Sequence, residues 1–162
     1  MKTAVIYYSY DGNSALAADV IKSALNSDNF EIKTVDSKRR RGLALFLWGG
    51  GQVFGRKKPD LLPLPADLDA YDLIILGTPV WAGSPAPAMV SFLSARQITG
   101  KKLALFCCHG GGKGRALEKL KALLPGNTIL GETDFVNPAK KGRAALEEKI
   151  AAWLKTLEAT NS

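Results

Sequence analysis

The chain has 162 residues but only two cysteines, two methionines and a single histidine, His109. The cysteines are adjacent, Cys107 and Cys108, which rules out a disulfide framework and favours a reducing, cytoplasmic setting. One histidine beside one cysteine pair gives no ligand spacing for a metal site. Strictly apolar runs reach only about six residues, against the roughly 20 that span a bilayer. A signal peptide is also not expected, because Asp11-Gly12-Asn13 stands where its apolar stretch would continue. There is no internal repeat and no low-complexity tract. Apolar residues make up 46% of the chain, which excludes a disordered chain, and the length suits one domain with a substantial core.

Acidic charge is scarce in one place. The net charge of +7 comes from Lys38–Lys58, which holds Lys38, Arg39, Arg40, Arg41, Arg56, Lys57 and Lys58 with no acidic residue. The rest of the chain is balanced. The protein therefore reads as a neutral domain with one basic segment, in which Phe46, Trp48 and Phe54 are interleaved. Either that segment is a solvated excursion covering the core, or it docks an acidic redox partner, an anionic membrane surface or another polyanion. No recognition motif accompanies it, so nucleic acid is not expected.

Strand and helix signals alternate along the whole chain. Strands are expected at Thr3–Tyr8, Phe30–Val35, Leu73–Leu76, Leu103–Cys108 and from Thr128 through Leu130 toward Val136. Helices are expected at Asn13–Leu25, Pro87–Ala95, Gly114–Leu124 and Lys141–Leu157. In the last, Leu146, Ile150, Trp153, Leu154 and Leu157 fall on one face. Leu73-Ile74-Ile75-Leu76 and Leu103-Ala104-Leu105-Phe106 are continuous apolar runs, as in parallel strands buried on both faces. This order implies an α/β sandwich with right-handed crossovers and ligands beyond the carboxyl ends of the strands. The stretch from Lys38 to Pro65 fits least well; a short helix near Gly42–Trp48 is one reading of it.

Three unusual loops follow strands one, three and four. The first is Ser9-Tyr10-Asp11-Gly12-Asn13-Ser14. A strand that turns at glycine and opens a helix exposes unpaired N–H groups at the positive end of the helix dipole. Ser9, Asn13 and Ser14 add side-chain donors, so the loop reads as a phosphate cradle. The second is Gly77-Thr78-Pro79-Val80-Trp81-Ala82-Gly83-Ser84-Pro85, a stiff frame around a tryptophan. The third is Cys108-His109-Gly110-Gly111-Gly112-Lys113-Gly114, a glycine-rich floor. The third loop is not a P-loop, because Gly112-Lys113 is followed by glycine rather than Ser or Thr. A planar aromatic ligand with a phosphate tail would satisfy all three loops.

On these motifs the chain resembles the flavodoxin family of FMN proteins along its whole length. The resemblance implies a single domain over residues 1–162, with an excursion at about 38–65. It also implies a doubly wound, five-stranded parallel sheet of order 2-1-3-4-5 with helices on both faces. FMN would be held by Ser9, Tyr10, Asp11, Gly12, Asn13 and Ser14 at its phosphate. Thr78, Pro79, Val80, Trp81, Ala82 and Gly83 would line its ring, together with Cys108, His109, Gly110, Gly111 and Gly112. Trp81 would stack on or flank that ring, His109 would donate to its edge or simply end a strand, and the Ala82–Gly83 peptide would reorient on reduction.

Two features depart from the family pattern. Asp11 stands where threonine is usual and would repel a phosphate unless it points away or caps the helix. The basic charge contrasts with the acidic electron-shuttle flavodoxins and points to different partners; Lys113 and His109 would then raise the potential of the reduced state. The cysteines read as packing groups rather than redox thiols.

Three function classes stay open: an FMN electron carrier between redox partners, an FMN-dependent oxidoreductase (reducing quinones with NAD(P)H, or oxidising protoporphyrinogen), and a flavin-free interaction module. No acid–base pair is visible beside the flavin loops, which favours the carrier.

Overall fold

The computed structural model describes residues 1–36 and 58–161. The basic, aromatic segment is outside them except for Lys58, as is the helix expected near Gly42–Trp48. Five parallel strands form the sheet: β1 (Thr3–Tyr8), β2 (Asp28–Ile32), β3 (Leu73–Trp81), β5 (Lys102–His109) and β6 (Thr128–Val136). Their order is β2-β1-β3-β5-β6, and the two-residue β4 (Ser84–Pro85) pairs antiparallel to β3. With β4 set aside, this is the expected doubly wound order 2-1-3-4-5.

Residues alternate between the two faces of the sheet, as strand geometry requires. Ala4, Ile6, Ile74, Leu76, Leu103 and Leu105 face α2 (Pro87–Ala95) and α3 (Ala116–Ala122), where Met89, Phe92, Leu117 and Leu120 complete one core. Val5, Ile75, Ala104 and Phe106 face α1 (Asn13–Leu25) and α5 (Arg143–Asn161), where Ala17, Ala18, Ile21, Ile150 and Trp153 complete the other. Each large side chain buried in this way contributes about 1.5–3 kcal/mol. Continuous apolar sequence in β3 and β5 is the consequence of being covered on both sides.

Several boundaries shift for identifiable reasons. β2 covers Asp28–Ile32 rather than Phe30–Val35, because its register runs from Ala4↔Asp28 to Tyr8↔Ile32 and ends where β1 ends. Beyond it Thr34 bridges antiparallel to Leu61. β3 runs on to Trp81 instead of stopping at Leu76. Gly77, Thr78 and Pro79 still pair with Phe106, Cys107 and Cys108, and Val80 and Trp81 pair with β4. Gly77 permits this, since a β-carbon there would lie 2.0 Å from Phe106 Cζ. The final helix is interrupted: α4 (Pro138–Lys141) stops at Gly142, whose φ is 91°, and α5 starts at Arg143.

Candidate functional site

The site lies at the carboxyl ends of β1, β3 and β5. In the first loop, Gly12 precedes α1 with a φ of 93°, a conformation in which side chains are strained. Ser9 Oγ accepts the Ala15 N–H at 3.1 Å, which leaves its own hydroxyl hydrogen for a ligand. Asp11 Oδ1 accepts the Asn13 N–H at 3.1 Å, so the carboxylate caps the helix, one of the two conditions under which it is compatible with a phosphate.

The Asn13 side chain is engaged within the protein. Its Nδ2 donates to Asp11 Oδ2 at 2.8 Å, and its Oδ1 accepts the Ala139 N–H at 3.0 Å, bracing α1 against α4. Among the described residues the Gly12 and Ser14 N–H groups have no partner. Ser14 Oγ is fully buried and also lacks a hydrogen-bond partner. Its polar neighbour is the Cys108 thiol, a weak sulfur contact. A buried hydroxyl without a partner is costly. A phosphate oxygen at the mouth of the helix would satisfy it, along with the two N–H groups and the Ser9 hydroxyl.

The second loop is a tight hairpin. Trp81 pairs with Ser84, and the two residues between them, Ala82 and Gly83, have φ of 47° and 66°. Both are left-handed, the pattern of a type I′ turn, which glycine tolerates and alanine resists. Thr78 and Pro79 are buried within β3. The Thr78 hydroxyl accepts the Ala86 N–H at 3.0 Å and donates to Pro79 O at 3.0 Å. Thr78 therefore anchors the start of α2. Trp81 packs edge-on to Tyr8 and Tyr10, with ring centroids 6.0 Å and 5.5 Å away, so the tryptophan ties the second loop to the first.

Backbone contact ties the third loop to the second. A β-carbon on Gly114, whose φ is 50°, would lie 2.7 Å from Gly83 Cα. Arg115 N–H donates to Gly83 O at 3.2 Å, and Lys119 Nζ donates to Ser84 Oγ at 2.6 Å. Asn137 fixes the base of the loop, donating from its backbone to His109 O at 2.9 Å and from Nδ2 to Gly110 O at 3.2 Å. Gly110, Gly111 and Gly112 are exposed along the rim. Burial pushes both the Cys107 and Cys108 thiols up to about 12, which makes them inert packing groups.

An acid–base pair does adjoin these loops. His109 Nε2 lies 3.0 Å from Asp134 Oδ2, Lys113 Nζ lies 3.3 Å from Asp134 Oδ1, and Lys149 Nζ donates to Asp134 O at 2.5 Å. Burial raises the Asp134 carboxyl, but the His109 hydrogen bond and the Lys113 and Lys149 ammoniums outweigh it and hold the group below its ordinary range. The Lys113 charge is thus partly cancelled by Asp134, which weakens its expected pull on a reduced ligand. Tyr8, Asp134 and Asn137 were not singled out from the sequence as site residues, and Gly114 entered only as the end of the glycine-rich loop. Only Asp134 carried a signal, as an acid near the carboxyl end of a strand.

A helix mouth with unsatisfied donors, an aromatic cluster and a glycine rim lie together at the switch point of a doubly wound sheet of flavodoxin-like order, the place where such sheets bind ligands. The model of the NADPH-dependent FMN reductase family matches residues 1–137, and the chain belongs to that family. Membership assigns FMN as the cofactor and flavoprotein as the protein class. No curated protein sequence matches.

Among solved structures, a flavoprotein from Lactobacillus acidophilus in complex with FMN is 23% identical with a TM-score of 0.73, covering 94% of this chain and 97% of its own. A flavodoxin from the domain Archaea is 19% identical with a TM-score of 0.56, over 100% of both chains. Two-electron reduced Megasphaera elsdenii flavodoxin is 17% identical with a TM-score of 0.51, over 98% and 97%. These likenesses show the fold. No described helix is long and apolar enough to cross a membrane.

Proposed function

We propose that the chain is an electron carrier that holds FMN across its three loops. The observation that carries this reading is the buried Ser14 hydroxyl, whose polar neighbour is only the weak Cys108 thiol, beside two unpaired N–H groups at the head of α1. Bound FMN would supply one- and two-electron chemistry. The protein's part is to hold the phosphate with Ser9, Ser14 and the backbone of residues 12–14. Tyr8, Tyr10 and Trp81 would wall the ring, and the Gly83–Gly114 contact would keep the second and third loops at a fixed spacing. The Ala82–Gly83 peptide would be the adjustable contact, since both residues already occupy turn geometry that glycine can leave easily. The basic charge of Lys38–Lys58 supports acidic redox proteins as partners.

A second reading is favoured by the family match itself: a reductase that draws electrons from NADPH and passes them to a small acceptor. Anaerobic addition of NADPH to the yellow holoprotein separates the two. A carrier keeps its absorbance until a reductase protein is added. A reductase bleaches within seconds on NADPH alone and turns over when a quinone follows.

A further inference from the structure

We propose that His109, held by Asp134, takes up a proton when FMN in the adjoining slot is reduced; the inference rests on the FMN reading above. His109 is the last residue of β5, immediately before the glycine rim, and its side chain is 8% exposed. Asp134 is ionised and can only accept, so Nε2 must be the nitrogen that carries the proton toward it. The other nitrogen, Nδ1, is buried and has no partner. A second proton can bind only at Nδ1, which would keep the contact to Asp134 and would need its acceptor from the bound flavin.

The charges around the ring are unevenly divided. From β6 the Asp134 carboxylate favours an imidazolium, and Glu132 lies two residues further back. From the third loop Lys113 and from α5 Lys149 oppose it. From β5 the neighbouring Cys107 is a neutral thiol. One carboxylate stands among two ammoniums, Lys113 on the carboxylate itself and Lys149 on the Asp134 backbone carbonyl, so an imidazolium would leave the cluster with surplus positive charge. An electron placed in the slot offsets that surplus, and the burial of the ring limits screening by salt. In the coupled step two electrons pass to the flavin, as a hydride from a nicotinamide or one at a time from a protein reductant. One proton from solvent forms an N–H bond at Nδ1, and the electrons and this proton leave on reoxidation.

His109→Gln tests the proposal, because glutamine retains an N–H for Asp134 but gains no proton. The two-electron midpoint potential of the FMN-loaded protein is measured from about pH 6 to about pH 9. The wild type is expected to lose an extra factor of ten in the reduction equilibrium per pH unit through part of that range, about 30 mV, relative to His109→Gln. In ¹⁵N spectra, the single imidazole should gain a second N–H on reduction at a pH where the oxidised protein shows one. Parallel slopes in the two proteins, or an imidazole unchanged by reduction, overturn the proposal while the FMN reading stands. A wild type that binds no FMN overturns both.

Discussion

Gly114→Ala probes the contact that sets the spacing of the second and third loops. The new β-carbon would lie 2.7 Å from Gly83 Cα, 3.3 Å from Gly83 O and 3.4 Å from Gly83 C, all backbone atoms that cannot rotate aside. Relief requires the loops to part by roughly 1 Å, the gap between that approach and an ordinary carbon–carbon contact. The φ of 50° adds about 1 kcal/mol for alanine. Parting the loops also loses the Arg115 N–H to Gly83 O bond, worth about 1 kcal/mol. The strain falls on folding, so the part that reaches binding through the separated loops is about 1–2 kcal/mol, or about 5- to 30-fold in FMN affinity. Fluorescence titration of the apoprotein measures it, with one control outside the three loops. Gly126→Ala carries the backbone strain, φ 77°, with nothing within 4 Å of its β-carbon, and should lower Tm without changing affinity. A Gly114→Ala protein that binds FMN within twofold of wild type would refute the reasoning.

Other expectations follow from the same geometry. Asp11→Asn keeps a cap for Asn13 but removes an anion beside the phosphate, and FMN affinity should rise about three- to tenfold at low salt and less at high salt. Asp134→Asn should lower urea stability by about 1–2 kcal/mol at neutral pH. The folded Asp134 carboxyl is shifted downward, so its contribution is present above the ordinary carboxylate range and disappears as pH falls through the folded value. The difference between wild type and Asp134→Asn should therefore close in acid, and a difference that persists there would contradict the assignment. Cys107 and Cys108 should resist a thiol reagent at about pH 8 in the native protein and both react after unfolding; fast native labelling of either would show that burial does not protect them.

Much of the fold was legible because each strand and helix carries its own periodic signal. Thr3–Tyr8, Asn13–Leu25 and Pro87–Ala95 begin and end where sequence places them, since a glycine turn or a proline marks each helix start. Boundaries set by partners were not legible. β2 ends by register with β1, and the extension of β3 through Gly77 depends on the Phe106 ring across the sheet. At the site, the loops could be identified but their internal hydrogen bonds could not. Thr78 is expected in the lining of the ring, and its hydroxyl holds Ala86 N–H; Asn13 is expected as a phosphate donor, and its side chain braces Ala139. The His109–Asp134 pair was invisible for the same reason, since 25 residues separate its members and only the pairing of β5 with β6 brings them within 3.0 Å.

The central claim is that the head of α1 binds the phosphate of FMN. Calorimetric titration of the apoprotein with FMN and with riboflavin tests it directly. FMN should bind at one site per chain and riboflavin at least tenfold more weakly, and Ser14→Ala should narrow that gap by removing one hydrogen bond to a charged group. Equal affinity for the two flavins, or a gap that Ser14→Ala leaves untouched, would contradict the account.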